Sequence, residues 1–515
     1  MRTLIMIIAG LVGLLIIAGV ALLWLLKDPN QYKDQIEALI EENAGIKINI
    51  EGDLSWRLWP PIVLQAADLS FENEETKYDL ERLSVHANAT ALLASEPDLQ
   101  IQSLELGGLT MSDKRFDSVT EVTTLTLTDF SLNKASPLHI EAITGVGTPE
   151  PTPFEMDALI TYRQDDDAVD VNNIEFETAG IVGTCDAVVT QLSREPTSNH
   201  AETSEDLLPL DTFRAQDWDA TCNIPSMDAG GLTLANIGVT AKNTGGRSNI
   251  NVNVPDFFDG TAKVDVDINA SRHSPRWKVN PDVSGADTQA VMAWMEQNLK
   301  WAAPLLFNGE FTMIGNTTND LISSVSGNAK FDGGTGKIDI SVIKESASTL
   351  ASLASVAGAN VLPELQQAIN KVAAWPEELD YSELAGNWKI NGSQQTFDLA
   401  LDNLKINASG TADALTDKLD MRAELTFLEN AALNSFDIPS ELRNIPIPVR
   451  CVGTLEEPDC GLDRSATQSI IAGVVRGQAS SKIQDAIADK VPDEYKDAAN
   501  DLLKGLFGGK KKKDN

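Results

Sequence analysis

Four cysteines are the residues of this chain best placed for covalent chemistry. Cys451 and Cys460 flank the turn-rich segment VGTLEEPD, and Cys185 and Cys222 each sit inside a strand-like run, GTCDAVV and ATCNI. If each group pairs, loop-closure entropy puts each bridge at ~2.5–4 kcal/mol. Metal ligation and unpaired thiols are the alternatives. No CxxC is present, and none of His86, His139, His200 or His273 lies near a cysteine in sequence, so the local spacing favours disulfides and an oxidising compartment.

Other constellations are weaker. Gly333-Gly-Thr-Gly336-Lys337 resembles a phosphate-binding loop, but Phe331 and Ile338 stand where such a loop needs glycine and a hydroxyl, so a tight hairpin is expected. Asp165–Asp167 with Asp170 lacks the alternating spacing and later glutamate of a calcium loop and reads as a solvated turn. The histidines are scattered, with no HExxH and no nucleophile motif. No catalytic residue, cofactor site or metal site is therefore assigned, and the chain is expected not to be an enzyme.

The elements that would position these residues begin with an apolar run over residues 3–26, preceded by Arg2 and closed by Lys27 and Asp28. As a helix it would reach ~36 Å, enough for a hydrocarbon layer of about 30 Å. It has no small-residue cleavage pattern and reads as an uncleaved anchor, with the N-terminus cytoplasmic and the bulk exported. The 76 acidic and 40 basic residues of the whole chain are spread along it for a formal charge of −36, which argues against nucleic-acid binding.

A short helix is expected from Pro29 to about Asn43. From there to about residue 285 the period is two, as in Ile250-Asn-Val252-Asn-Val254 and Val264-Asp-Val266-Asp-Ile268, with turn residues every 8–12 positions. Residues 191–211 read as a surface loop. Helices are expected over 287–303 and 345–374, with strands between them from 309 to 343 and again through 388–427. Amphipathic helix follows from 466 to 507, ahead of the Lys510–Lys513 tail.

Residues 45–60, GIKINIEGDLSWRLWP, followed by Ala67-Asp68-Leu69-Ser70-Phe71, resemble the AsmA family. So do GNAKFDGGTGKIDI at 327–340, YSELAGNW at 381–388 and IPIPVRCVGTLEEP at 445–458. The resemblance implies an inner-membrane-anchored periplasmic protein of Gram-negative bacteria that supports outer-membrane assembly and, as in larger relatives, handles phospholipid. The chain then divides into an anchor (1–27), an N-terminal AsmA-like β-rich domain (28–285), a C-terminal AsmA-like β domain with helical insertions (286–463), and C-terminal amphipathic helices with the lysine tail (464–515).

The expected fold is mainly β with helical insertions: a long antiparallel sheet curled into a groove or closed as a sandwich. Leu399, Leu401, Met421 and Leu425 are candidate lipid-facing residues, and Trp24, Trp56 and Trp59 candidate membrane-interface anchors. The expected partners are the inner membrane, phospholipid and outer-membrane assembly proteins. A structural adaptor that binds no lipid is the alternative.

Overall fold

The computed structural model describes residues 29–44, 48–57, 62–72, 76–87, 101–113, 119–130, 133–146, 151–194, 206–229, 231–272, 274–296, 300–341, 374–429, 443–444 and 446–463, with isolated positions between and beyond them. The apolar run with Trp24, the position of Trp59, and all but isolated residues of the segments expected to be helical at 345–374 and 466–507 lie outside that set. Among the described residues no helix is long and apolar enough to cross a membrane.

Two compact units divide the chain: residues 1–297 with 305–328, and residues 298–304 with 329–515. The first is a run of antiparallel strands: β1 (Ile48–Ile50), β2 (Leu54–Arg57), β3 (Ile62–Glu72), β4 (Thr76–Ala87), β5 (Ile101–Asp113), β6 (Val119–Phe130), β7 (Ser136–Val146), β8 (Thr152–Arg163), β9 (Ala168–Thr178), β10 (Ile181–Thr190), β11 (Asp217–Ala229), β12 (Leu232–Thr244), β13 (Arg247–Phe257), β14 (Gly260–Asn269) and β15 (Arg276–Asp287). From β3 onward each strand pairs with the next in sequence, and no pairing among the described residues returns β15 to β1. The alternation of apolar and polar residues dictates this arrangement, because it gives each strand one face to bury. Tight turns help. Gly245 and Gly246 both have positive φ, at 56° and 77°, the geometry a two-residue hairpin between right-twisted strands demands.

β1 and β2 both pair with β3, through Ile50↔Leu69 and Leu54↔Ala66. The step between them explains the Gly-x-Leu-x-Trp segment. A Cβ at Gly52 would lie 2.5 Å from the Ala67 carbonyl oxygen, while Asp68 across from it takes a left-handed φ of 48°. Only glycine lets the two backbones approach so closely. Gly52→Ala is expected to cost about 1–3 kcal/mol by overpacking, read as a lowered denaturant midpoint; an unchanged midpoint would contradict this account.

Beneath β3–β7 most inward side chains are buried, with Met111, Phe130 and Ile140 only partly so. Val85, Leu104 and Leu125 each keep 1% of their surface, and α1 (Lys33–Ala44) adds Ile36 to the same core. Burying each such side chain contributes about 1.5–3 kcal/mol.

Three expectations are corrected here. Among the described residues of the expected 287–303 helix, only Thr288–Trp294 is helical; Asp287 caps its start by accepting from the Gln289 N–H, and Glu296 takes a left-handed conformation (φ 56°) just after it. The strand expected from 309 begins at Pro304, and a short helix, Thr318–Ser324, interrupts the run that should have reached 343, capped by the Thr317 hydroxyl accepting from the Asp320 N–H. Part of the 191–211 loop, with the residues after it, is the helix Leu210–Ala215.

In the second unit, Gly336–Asp339 pairs with Trp301–Ala302 and with Glu378–Tyr381 as a small three-stranded sheet. The Gly333–Gly336 segment is therefore a step into that sheet and not a hairpin; the Gly333 N–H donates to the Leu384 carbonyl at 2.7 Å. The strands Leu384–Asn391, Gln394–Leu401, Leu404–Asp413, Lys418–Phe427, Pro446–Gly453 and Pro458–Leu462 follow as sequential antiparallel neighbours. Their core gathers Leu401, Leu404, Phe427, Trp375 and Phe436.

Candidate functional site: an apolar sheet face

Past β8 the buried character of the first unit's inward face changes. The register aligns Ile174, Cys185, Cys222, Val239, Val252 and Val264 in one row across β9–β14. The next row is Ala187, Ala220, Ala241, Ile250, Val266 and Val279. All twelve are only half-buried. Neither row contains a charge or a hydrogen-bonding side chain, so these positions form an apolar floor that solvent or a ligand can reach. The two rows stand about 7 Å apart along the strands.

Both ends of the floor are walled. On one side the helix Leu210–Ala215 packs Leu210 and Phe213 on Ile268 and Ala270, with Trp218 and Trp277 beside them. That helix is held firmly. Asn316 accepts from the Leu208 N–H at 3.1 Å and donates to the Leu208 carbonyl at 2.9 Å, and the Asn243 amide donates to the Phe213 and Gln216 carbonyls. At the other side Phe258 is buried, edge-on to Phe257 at 4.8 Å and 6.0 Å from Trp294.

The outward face of the same strands is polar and paired. Asn249 and Asn251 donate to Asp267 and Asp265 at 2.9 and 3.0 Å, Lys242 meets Asp219 at 3.2 Å, and Lys278 meets Glu310 at 2.9 Å.

Cys185 and Cys222 are directly opposite across β10 and β11, joined as a disulfide with Cα atoms 4.1 Å apart. Cys451 and Cys460 are joined in the same way, with Cα atoms 4.0 Å apart. The first bridge lies in the apolar floor and joins two strands that no tight turn connects. The second fastens the strand Pro458–Leu462 to its neighbour.

In the second unit Leu399, Leu401, Met421 and Leu425 share one face: Leu399 opposes Ile406, which opposes Leu425, and Met421 lies four residues before Leu425 on the same strand. The face is graded. Leu401 and Leu425 are core at 1% and 6% exposure, whereas Leu399 and Met421 are half-buried, so only the latter two are accessible to a ligand. Trp388 stacks on Phe397 at 5.9 Å beside them and donates to the Gln395 carboxamide oxygen at 2.6 Å. Trp56 is half-buried against the β3–β7 core.

Of the aspartates 165–167 and 170, Asp166 and Asp170 pair with Arg163, and Asp167 accepts from Ser193, across from the turn. Sequence reasoning did not find the outward group His139, Glu155 and Asp157, whose ligand atoms lie within 4.8 Å of one another; sixteen residues and more separate His139 from the others, and only the β7–β8 register joins them. The His139 Nδ1 lies 2.9 Å from Asp157 and its Nε2 3.5 Å from Glu141. The hydrogen bond to Asp157 raises the imidazole above its ordinary value, against the opposing effect of burial. Because the folded-state value is raised, the stabilisation is full below the unfolded value near 6.5 and lost as pH rises through the folded one. The difference in Tm between wild type and His139→Gln is therefore expected to be larger at pH 5 than at pH 8; a constant difference would exclude the pair as its source.

A family model described as the AsmA family matches residues 1–127. No curated protein and no solved structure matches the chain.

Proposed function

This chain belongs, through its first 127 residues, to the AsmA family, and from that premise we propose that it binds phospholipid by its acyl chains along the half-open apolar sheet face, supporting outer-membrane assembly from an inner-membrane anchor at residues 1–27. The observation that carries the reading is the floor of β9–β14: two uncharged rows left half-exposed, with a polar, hydrogen-bonded face behind them. Exposed apolar surface of that extent is unfavourable in water and is relieved by an apolar ligand. The reading places the bulk of the chain in the periplasm, where the two disulfides would persist.

Photo-crosslinking residues at Val252 and Val264, compared with Leu104 and Leu125, test it. Lipid adducts at the first pair alone are the expected result, and adducts at neither pair would overturn it.

An adaptor role without lipid draws support from the filled core under β3–β7, which leaves that stretch little apolar surface to offer. Lipid-free recovery of the full chain from membranes, together with retained binding of outer-membrane assembly proteins, would favour it.

A further inference from the structure

The outward face of β7–β9 gathers one imidazole and five carboxylates. Strand register lays them out in two rows across the three strands. One row is His139, Asp157 and Glu175; the other is Glu141, Glu155 and Glu177. Neighbours within a row are one strand spacing apart, about 4.8 Å, and the rows stand about 7 Å apart along the strands. Thr126 and Thr184 bound the first row, and Thr124 and Val182 the second. The five carboxylates are exposed and His139 is half-buried.

Like charges directly opposite each other across a sheet are destabilising. Elsewhere on this unit a carboxylate is answered by a base: Asp79 by Lys77, Asp219 by Lys242 and Glu310 by Lys278. Here, among the described residues, Glu155, Glu175 and Glu177 have no basic partner in ion-pair contact, and Asp157 and Glu141 share His139. The ring cannot serve both while neutral, because it then carries a single N–H. Its Nδ1 lies 2.9 Å from Asp157 and its Nε2 3.5 Å from Glu141, so one nitrogen lone pair faces a carboxylate oxygen with no proton between them. The gap to Glu141 is longer than an ordinary hydrogen bond. It is close to the roughly 3.4 Å that separates two donors held tetrahedrally by one zinc ion.

We propose that His139, Asp157 and Glu155 bind a divalent transition cation of the zinc class, with Glu141 beside the ring and water completing the coordination. The atoms these three residues offer lie within 4.8 Å of one another, so one ion can draw on all of them. An imidazole nitrogen among carboxylates favours such an ion over magnesium or calcium, which prefer oxygen alone. The ion would tie β7 to β8 and relieve the repulsion along both rows. It would do so at the point in the sheet where the filled core gives way to the half-open floor on the other face. The proposal does not depend on lipid binding.

The full chain without an affinity tag, purified in detergent and stripped by a chelator, is titrated with Zn2+ alone and with Mg2+ alone. The titration is run at about pH 8, where protons compete less for the ligands. Wild type is expected to bind Zn2+ saturably, to hold it in about half-molar salt, and to gain Tm from it. His139→Gln and Glu155→Gln are each expected to weaken binding by about tenfold or more. Asp256→Asn, which removes an exposed carboxylate from β13, is expected to leave binding unchanged. The metal-free Tm of Glu155→Gln should match that of wild type, which shows that this variant folds. No saturable Zn2+ binding by wild type, or undiminished binding in either ligand variant, overturns the site. Binding lost in salt, matched by Mg2+, or weakened equally by Asp256→Asn also overturns it, in favour of a diffuse attraction of cations to an acidic surface.

Discussion

Val252→Asp is expected to strip bound phospholipid from the protein, lowering the lipid recovered with the purified chain by more than about tenfold. The position lies within the half-exposed row, with Val239 on one side and Val264 on the other. A carboxylate there would have to shed water when acyl chains cover it, and that cost of several kcal/mol far exceeds what one valine contributes to chain contact. Folding should survive, because Val252 is only half-buried and an unliganded floor leaves the carboxylate hydrated. The matching change on the outward face, Asn253→Asp, is the control and should leave lipid recovery unchanged. Equal loss from both variants, or none from Val252→Asp, would sink the lipid-floor reading.

Phe427→Ala is expected to lower the stability of the second unit by about 3–5 kcal/mol. Phe427 is fully buried and packs edge-on against Trp375 at 5.6 Å and tilted against Phe436 at 5.3 Å; Trp375 and Phe436 also touch each other. Removing the ring leaves a cavity among large, rigid neighbours that cannot collapse to fill it. Denaturant unfolding followed by tryptophan fluorescence would read the change. A shift below about 1 kcal/mol would mean that the three-ring cluster rearranges more freely than its burial indicates.

The strands were legible in the sequence because a half-buried sheet imposes a period that few other structures share. Ile250, Val252 and Val254 alternate with asparagines, and β13 lies where they stand. The cysteines were legible as two groups, with pairing within each left conditional; the structure joins Cys185 to Cys222 and Cys451 to Cys460. What alternation conceals is depth: Ile268 and Val264 occupy equivalent positions in one strand, yet Ile268 is buried and Val264 half-exposed, because the helix over Ile268 comes from residues 210–215. Leu401 and Leu399 differ likewise, Leu401 lying in the core with Trp375 and Phe436 and Leu399 only partly buried against it. The 287–303 segment misled because Val291, Trp294 and Met295 carry a helical spacing that nothing in composition stops; the stop is a backbone conformation at Glu296.

The neighbour-to-neighbour pairing of β3 through β15 also bears on how such a protein changes over generations. Every pairing in that run joins segments close in sequence, so the chain behaves like a one-dimensional array whose stability accumulates strand by strand. Duplicating or deleting a whole hairpin keeps the inward and outward faces in phase and leaves each remaining strand with a partner. The sheet can therefore be lengthened or shortened in steps of two strands without redesigning its ends, and descendants of one ancestor can differ in span while keeping the same cross-section.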